Sequence, residues 1–309
     1  MKKTKYLRPT YRTSSGRCFN SRIEDAIESP TFTRLKGKVD LILTSPPFPL
    51  NRKKKYGNLE GEEYIWWLRR LASDFKTLLA PTGSIVLEIG NAWEPGKPVM
   101  SSTPLKALLA FLDHAGLFLC QEFIWYNNAR LPGPAQWVNV DRIRVKDAFT
   151  RIWWMSLTTT PKANNRRVLV DYSESMKKLL RTKKYNAGKR PSEHKIGKES
   201  FLKNHNGAIP SNVLIGPNTK STGDYYKYCH RYNLPMHPAR MPPFIAEFFI
   251  SLLTTKGDLV LDPFGGSNTT GYTAENLGRK WVTVETDLKY VKGSKGRFPR
   301  RKFRKTISG

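Results

Sequence analysis

The chain has 309 residues, with 53 Lys and Arg against 25 Asp and Glu, for a formal net charge of +28. That surplus is far from ordinary globular balance and points to a polyanionic partner, while the length admits one large α/β domain with an insertion, or two domains. No stretch is long and apolar enough to span a membrane, no secretory leader is visible, and Cys18, Cys120 and Cys229 have neither disulfide nor metal-ligand spacing; together these predict a cytoplasmic protein without a metal site.

Residues 1–17 read as a loosely attached basic arm. The aliphatic run 39–43 reads as a buried parallel strand. It runs into Thr44-Ser45-Pro46-Pro47-Phe48. The two prolines end the strand and stiffen the turn, because neither can donate to a ladder. The turn therefore offers a Ser hydroxyl, fixed backbone acceptors and one aromatic face at the carboxyl edge of a sheet, where open α/β folds place ligands. A planar base with an exocyclic amino group suits it. A Pro-rich strand exit with Phe48 in the core remains the plain alternative. Arg52, Lys53, Lys54 and Lys55 follow closely and read as a loop over DNA phosphates.

Residues 62–79 place Ile65, Leu68, Leu71, Phe75, Leu78 and Leu79 at helical spacing, and the helix is expected to end before Pro81. Residues 84–89 read as a strand carrying Glu88 near its end. A helix over 105–114 and strands over 117–125 and 151–157 follow. This alternation argues for a doubly wound α/β sheet. From about 161 to 235 the texture changes to Lys, Arg, Asn, Ser and Gly interleaved with Tyr and His, which predicts a small target-recognition region rather than a linker. Within it Arg190, His194 and Lys195 are candidate DNA contacts.

The ordered pattern returns after residue 235. Residues 258–271 read D-L-V-L-D-P-F-G-G-S-N-T-T-G: a short strand, a tight Gly-rich turn, and a helix starting near Asn268 and Thr269. Strand, turn and helix amino terminus in that order bring backbone close to a ligand. Glu285 ends the next strand about 20 residues past the glycines, the usual spacing for gripping ribose hydroxyls. The loop is not the G-x-G-x-x-G of nicotinamide enzymes. Residues 292–309 form a basic tail that adds phosphate affinity.

Taken together, the T-S-P-P-F turn and the D-P-F-G-G-S-N-T-T-G loop resemble the catalytic and cofactor motifs of the amino-group DNA methyltransferases that use S-adenosyl-L-methionine. The catalytic motif precedes the cofactor motif, which is the order of the β class. His237-Pro238-Ala239-Arg240 resembles a further cofactor motif of that class, and 79–93 its next core strand. Stretches 137–154, 190–197 and 236–247 resemble a cytosine-N4 member in particular. The resemblance spans roughly residues 10 to 290. It implies a Rossmann-like mixed sheet, the methyltransferase fold, with an inserted target-recognition region. The expected divisions are a catalytic half over 1–160, recognition over 161–235, a cofactor half over 236–291 and the tail.

The resemblance also implies roles. Ser45 and Pro46, with Pro47 and Phe48, form the catalytic turn, and Glu88 draws a proton from Ser45 or makes a plainer contact. Asp262, Pro263, Phe264, Gly265, Gly266, Ser267, Asn268, Thr269 and Glu285, with His237 and Pro238, hold the cofactor. Asn20 stands where many relatives carry an Asp near the adenine ring, and Asn268 where they carry Gly. Ser before the two prolines implies cytosine N4, with adenine N6 the alternative; a non-catalytic nucleic-acid-binding protein with the same fold is a further one. Double-stranded DNA is the implied substrate, a cognate restriction endonuclease the implied separate partner, and CAGCTG the implied target site. No cysteine has the Pro-Cys context of the cytosine-C5 enzymes, so covalent attack on the ring is not expected.

Overall fold

The computed structural model describes residues 6–47, 61–184, 188–189, 191, 195–197, 199, 201–218 and 223–298. The chain divides into two compact units, residues 164–211 and the remainder.

The larger unit is built on a nine-stranded sheet. Its strands are β1 (Tyr11–Arg12), β2 (Gly16–Asn20), β3 (Val39–Thr44), β4 (Leu79–Gly90), β5 (Phe118–Tyr126), β6 (Phe149–Ser156), β9 (Val213–Ile215), β10 (Leu259–Asp262) and β11 (Lys280–Glu285). They lie in the order β1-β2-β11-β10-β3-β4-β6-β5-β9. The five strands from β2 to β4 are mutually parallel, and β6 runs antiparallel to β4 and to β5. The central strands are continuous aliphatic runs because both faces are covered. On one face α1 (Ile23–Glu28), α2 (Pro30–Thr33) and α3 (Gly61–Leu78) share a core with Ile42, Ile85, Leu87 and Leu261. Elsewhere α7 (Pro243–Leu253) packs on β3, and α8 (Thr269–Asn276) on β10 and β11.

Several details depart from the sequence reading. Residues 11–17, expected within a loosely attached arm, instead supply β1 and the start of β2, with Tyr11 buried and its hydroxyl hydrogen-bonded to Ser294. The helix expected over 105–114 is α4 (Thr103–Leu109) followed by a wider π turn, Ala110–His114. The strand expected over 84–89 already begins at Leu79, passing through Pro81 beside a register shift between Val39 and Leu41. Gly83 permits that irregularity, since a Cβ there would lie 2.7 Å from the Val39 carbonyl oxygen.

Unit 164–211 contains α5 (Glu174–Thr182), capped by Ser173, and an antiparallel pair of two-residue strands, β7 (Gly188–Lys189) and β8 (Lys195–Ile196). Val170 bridges Ala208, and the Tyr172 hydroxyl accepts from the His205 N–H at 2.8 Å. Strand β9 and helix α6 (Asp224–Arg231) lie within the compositionally distinct stretch 161–235 but belong to the larger unit. After α9 (Leu288–Ser294) comes a 3-10 turn, Lys295–Arg297, and Phe298 stacks on Trp281, so residues 292–298 of the expected tail are folded onto the larger unit. Among the described residues no helix is long and apolar enough to cross a membrane.

Candidate active site

From β3 the chain crosses to β4 on one side, and from β10 to β11 on the other. The carboxyl ends of β3 and β10 therefore flank the point where strand order reverses, the ligand crevice of open α/β sheets. Both strands end in proline-stopped turns there. Thr44 Oγ1 donates to Asp262 Oδ1 at 2.8 Å, and the Phe264 N–H donates to the same oxygen at 3.1 Å. Burial pushes the Asp262 carboxyl up to about 6, against the pull of these bonds. A cavity of about 670 Å³ opens at this junction. Ser45, Pro46, Pro47 and Glu88 line it with Asp262, Pro263, Phe264, Gly265, Gly266, Ser267, Thr269, Glu285 and His237.

The Gly-rich loop is held from several sides. Gly266 has φ +50°, and a Cβ on it would meet the His237 ring at 3.1 Å; both its conformation and its space favour glycine. Asn268 adopts φ +56°, caps α8 by accepting from the Gly271 N–H, and donates from Nδ2 to the Tyr11 hydroxyl at 2.8 Å. It thus replaces a glycine without strain out of the ordinary for Asn. Arg297 donates from Nε to the Ser267 carbonyl at 2.6 Å and from Nη2 to Ser267 Oγ at 2.7 Å. Glu285 Oε2 accepts from the Gly266 N–H and Oε1 from the Asp287 N–H, both at 2.8 Å. Burial raises the Glu285 pKa.

Across the cavity, Thr44 pairs with Leu87 in the β3–β4 register, which sets Ser45 beside Glu88. Burial pushes the Glu88 carboxyl up to about 7; the Arg130 guanidinium lowers it and Asp262 raises it. Arg130 is fixed by donating to the Phe149 carbonyl at 2.9 Å, and it too lines the cavity. Tyr64 and Trp67 of α3 complete this wall, Trp67 packing on Phe264 at 5.6 Å between ring centroids. The buried Tyr64 hydroxyl has no hydrogen-bond partner among the described residues.

The sequence-predicted residues are thus largely brought together, with exceptions. Asn20 does not line the cavity; its amide donates to the backbone carbonyls of Glu285 and Thr286, tying β2 to the end of β11. Pro238 and Asn268 also stand outside the lining, Asn268 acting on the loop from behind. Phe48, Arg52, Lys53, Lys54, Lys55, Arg190 and His194 lie outside the described residues, and Lys195 belongs to β8 in unit 164–211. Sequence reasoning missed Tyr64, Trp67 and Arg130. Two aromatic residues at the start of a helix just after the catalytic turn were the available signal for the first pair. Among the described residues no cluster of His, Cys, Asp or Glu has metal-binding geometry.

Residues 39–296 match the family of DNA methylases that modify amino nitrogens N6 and N4. The chain belongs to this family. A DNA methylase needs a DNA substrate, in keeping with the basic surplus. The type II methyltransferase M.PvuII of Proteus hauseri is 43% identical over 94% of this chain and 86% of its own length. The solved PvuII DNA methyltransferase, described as cytosine-N4-specific, superposes with a TM-score of 0.76 at 37% identity, covering 95% of this chain and 89% of that one. M1.HpyAVI, solved in complex with SAM, shares the fold at 19% identity and a TM-score of 0.53, covering 91% of this chain and 98% of that one.

Proposed function

We propose that this DNA methylase transfers a methyl group from S-adenosyl-L-methionine to the N4 amino group of cytosine in duplex DNA, after flipping the base out of the helix. The observation that supports the reading most is the junction of the two turns. The Thr44–Asp262 hydrogen bond locks the Ser45-Pro46-Pro47 turn to the Gly-rich loop across one cavity. Its volume suits a small-molecule ligand, which needs about 300–1,000 Å³.

The residues fit the cofactor on two counts: a glycine cradle that a Cβ would fill, and a buried Tyr64 hydroxyl still owed a hydrogen bond. Asp262, the Gly265–Gly266 backbone, Ser267, Thr269, Glu285, His237 and Tyr64 would hold it. When bound, it supplies an activated methyl on a sulfonium, so neither metal nor covalent enzyme intermediate is required. The chain's own work is positioning. The exocyclic nitrogen is a weak nucleophile because its lone pair is delocalised into the ring. Ser45 Oγ and the Pro46 carbonyl accept its hydrogens, which localises that pair and stabilises the positive charge that develops on nitrogen. Phe48 is assigned to stacking on the base. Glu88, beside Ser45, accepts a proton relayed through the hydroxyl. The base leaves the duplex because its amino edge is otherwise paired.

Arg52, Lys53, Lys54, Lys55 and the basic residues of the tail other than Arg297, which is held on Ser267, are assigned to phosphates, and Arg190, His194 and Lys195 in unit 164–211 to target recognition. A type II relative also motivates a cognate restriction endonuclease acting separately and CAGCTG as the site to test first. Digestion of DNA from cells expressing the chain, followed by mass spectrometry of the nucleosides, tests the reading. N4-methylcytosine is expected; N6-methyladenine alone would sink the cytosine assignment.

A further inference from the structure

Strands β4, β5 and β6 place one more element at the catalytic edge. Gly90 pairs with Thr150, and Tyr126 with Phe149, so the loop joining β5 to β6, residues 127–148, rises from the same rim as Ser45 and Glu88. Its first turn lines the cavity through Asn127 and Arg130. The loop is internally braced. Asn127 N–H donates to the Ala148 carbonyl at 2.8 Å, Asp147 N–H to Gly133 at 3.0 Å and Lys146 Nζ to the Asn128 carbonyl at 3.1 Å. Arg144 Nε donates to the Pro98 carbonyl at 3.1 Å, and Trp137 packs on Trp93 at 5.4 Å.

On this braced loop sit large apolar side chains turned to solvent: Leu131 is 83% exposed, Val145 87%, Val140 67% and Ile143 51%. Singly exposed leucines and valines are ordinary. Four on one braced loop beside the cavity are more than scattered single exposures, and concentrations of exposed apolar side chains mark contact surfaces. Arg142, Arg144 and Lys146 are interleaved with them and exposed. Apolar tips among cations are the make-up of elements that wedge between base steps while holding phosphates. Leu131 follows Arg130 directly, and Pro132 after it restricts its backbone to extended conformations.

Resting on the reading of the cavity as the pocket for a flipped base, we propose that the β5–β6 loop penetrates duplex DNA. Leu131 enters the stack where the target base has left, and Arg142, Arg144 and Lys146 meet the flanking phosphates. Leu131 is a positioning residue: it holds the extruded state open and touches neither cofactor nor reacting atoms.

The test compares full-length wild type with Leu131→Ala on two duplexes carrying the site identified by methylated-base sequencing. One is matched; the other has an abasic position opposite the target, so its base is already unpaired. Single-turnover transfer by the variant is expected to fall roughly tenfold or more on the matched duplex, where unstacking is hardest. It should lie within about twofold of wild type on the abasic one, where little pairing energy has to be overcome. With 2-aminopurine at the target position, the variant should reach a lower fluorescence plateau at saturating protein. Calorimetric cofactor affinity should not change. Equal rates for both proteins on the matched duplex would overturn the proposal and leave these side chains to a protein partner. Equal slowing on both duplexes would also overturn it, marking Leu131 as a structural support. Wild type that methylates neither duplex would instead remove the methyltransferase reading itself, and the loop's role with it.

Discussion

The rim of the large sheet and unit 164–211 are built on opposite terms. At the rim, Thr44, Glu88, Asp262, Ser267, Asn268 and Thr269 are all buried, polar side chains held in a nonpolar setting by hydrogen bonds or bordering the cavity. In unit 164–211, Gly207 alone is buried among the described residues, and order rests on backbone bridges and a few polar contacts such as Tyr172 to His205. The first arrangement fixes atoms to a fraction of an ångström, which methyl transfer needs. The second keeps long polar side chains in water, where they remain available to base edges and phosphates. The lesson is a division of labour. Substitutions at the rim should change rate or cofactor affinity without changing the target, and those in the unit should do the reverse.

The sharpest way to break that comparison is Ser45→Ala. We expect a fall in single-turnover rate of about a hundredfold to a thousandfold, as when an acceptor or donor aimed at developing charge is removed. Cofactor affinity by calorimetry should stay near normal, and transfer at the wild-type rate would remove Ser45 from the transition state. Next in size is Gly266→Val. Its positive φ strains any side chain and a Cβ would press on the His237 ring at 3.1 Å, so affinity for the cofactor should drop roughly tenfold or more. Glu285→Ala should weaken binding as well, and more of the loss should appear in loop order, since its carboxylate already receives the Gly266 N–H. Hydrogen exchange at residues 264–268 separates the two causes.

A third test uses pH. The Glu88 carboxyl is pushed from its ordinary 4.5 up to about 7 by burial. The folded protein therefore holds this proton more tightly than the unfolded chain does. The stability it contributes is complete below about 4.5 and is lost as pH rises through about 7. Denaturant titrations of Glu88→Gln should show a shallower fall across that window, with Asp262, itself pushed up to about 6, and Glu285, also raised by burial, contributing to the remainder. If the ionised form takes the proton from Ser45, the wild-type rate rises through the same window and the variant loses that inflection. A pH–rate profile unchanged by the substitution would reduce Glu88 to a structural contact.

The smallest effect concerns affinity. Deleting residues 299–309, which leaves Arg297 on Ser267, should lower the salt slope of DNA binding by roughly 0.9 for every phosphate they neutralise, with no change of target. Replacing Arg190 and His194 should instead shift the spectrum of methylated sites. A tail deletion that altered the target would reverse the comparison.

Much of the rim was legible in the chain because both of its turns end continuous aliphatic strands with proline, and glycine at 266 and Asn at 268 mark left-handed backbone. The α3 stripe was equally clear from Ile65, Leu68 and Phe75. What escaped was assembled in three dimensions. Tyr64 and Trp67 reach the cavity because the start of α3 packs against Phe264 in the turn after β10, and their place soon after the catalytic turn was the only local sign of it. Arg130 gains its influence on Glu88 from an antiparallel detour through β5 and β6. Asn20 occupies a ligand-like place in the chain, yet its amide is committed to Glu285 and Thr286, a partnership set by strand pairing. Strand β9 and helix α6 were hidden inside a basic stretch because they are short; β9 joins the sheet at its far edge, while α6 packs on α9 and the turn that follows it.

The strand order β2-β11-β10-β3 has one more consequence. The middle of the sheet is contributed by residues near the end of the chain, so during synthesis β2 and β3 leave the ribosome long before the pair that must lie between them. Until then each presents a bare, hydrophobic strand edge, the kind that recruits other chains. Nascent or prematurely terminated polypeptides should therefore lean on chaperones. A fragment lacking β10 and β11 has no Asp262 turn to meet the Ser45 turn, and should not methylate DNA.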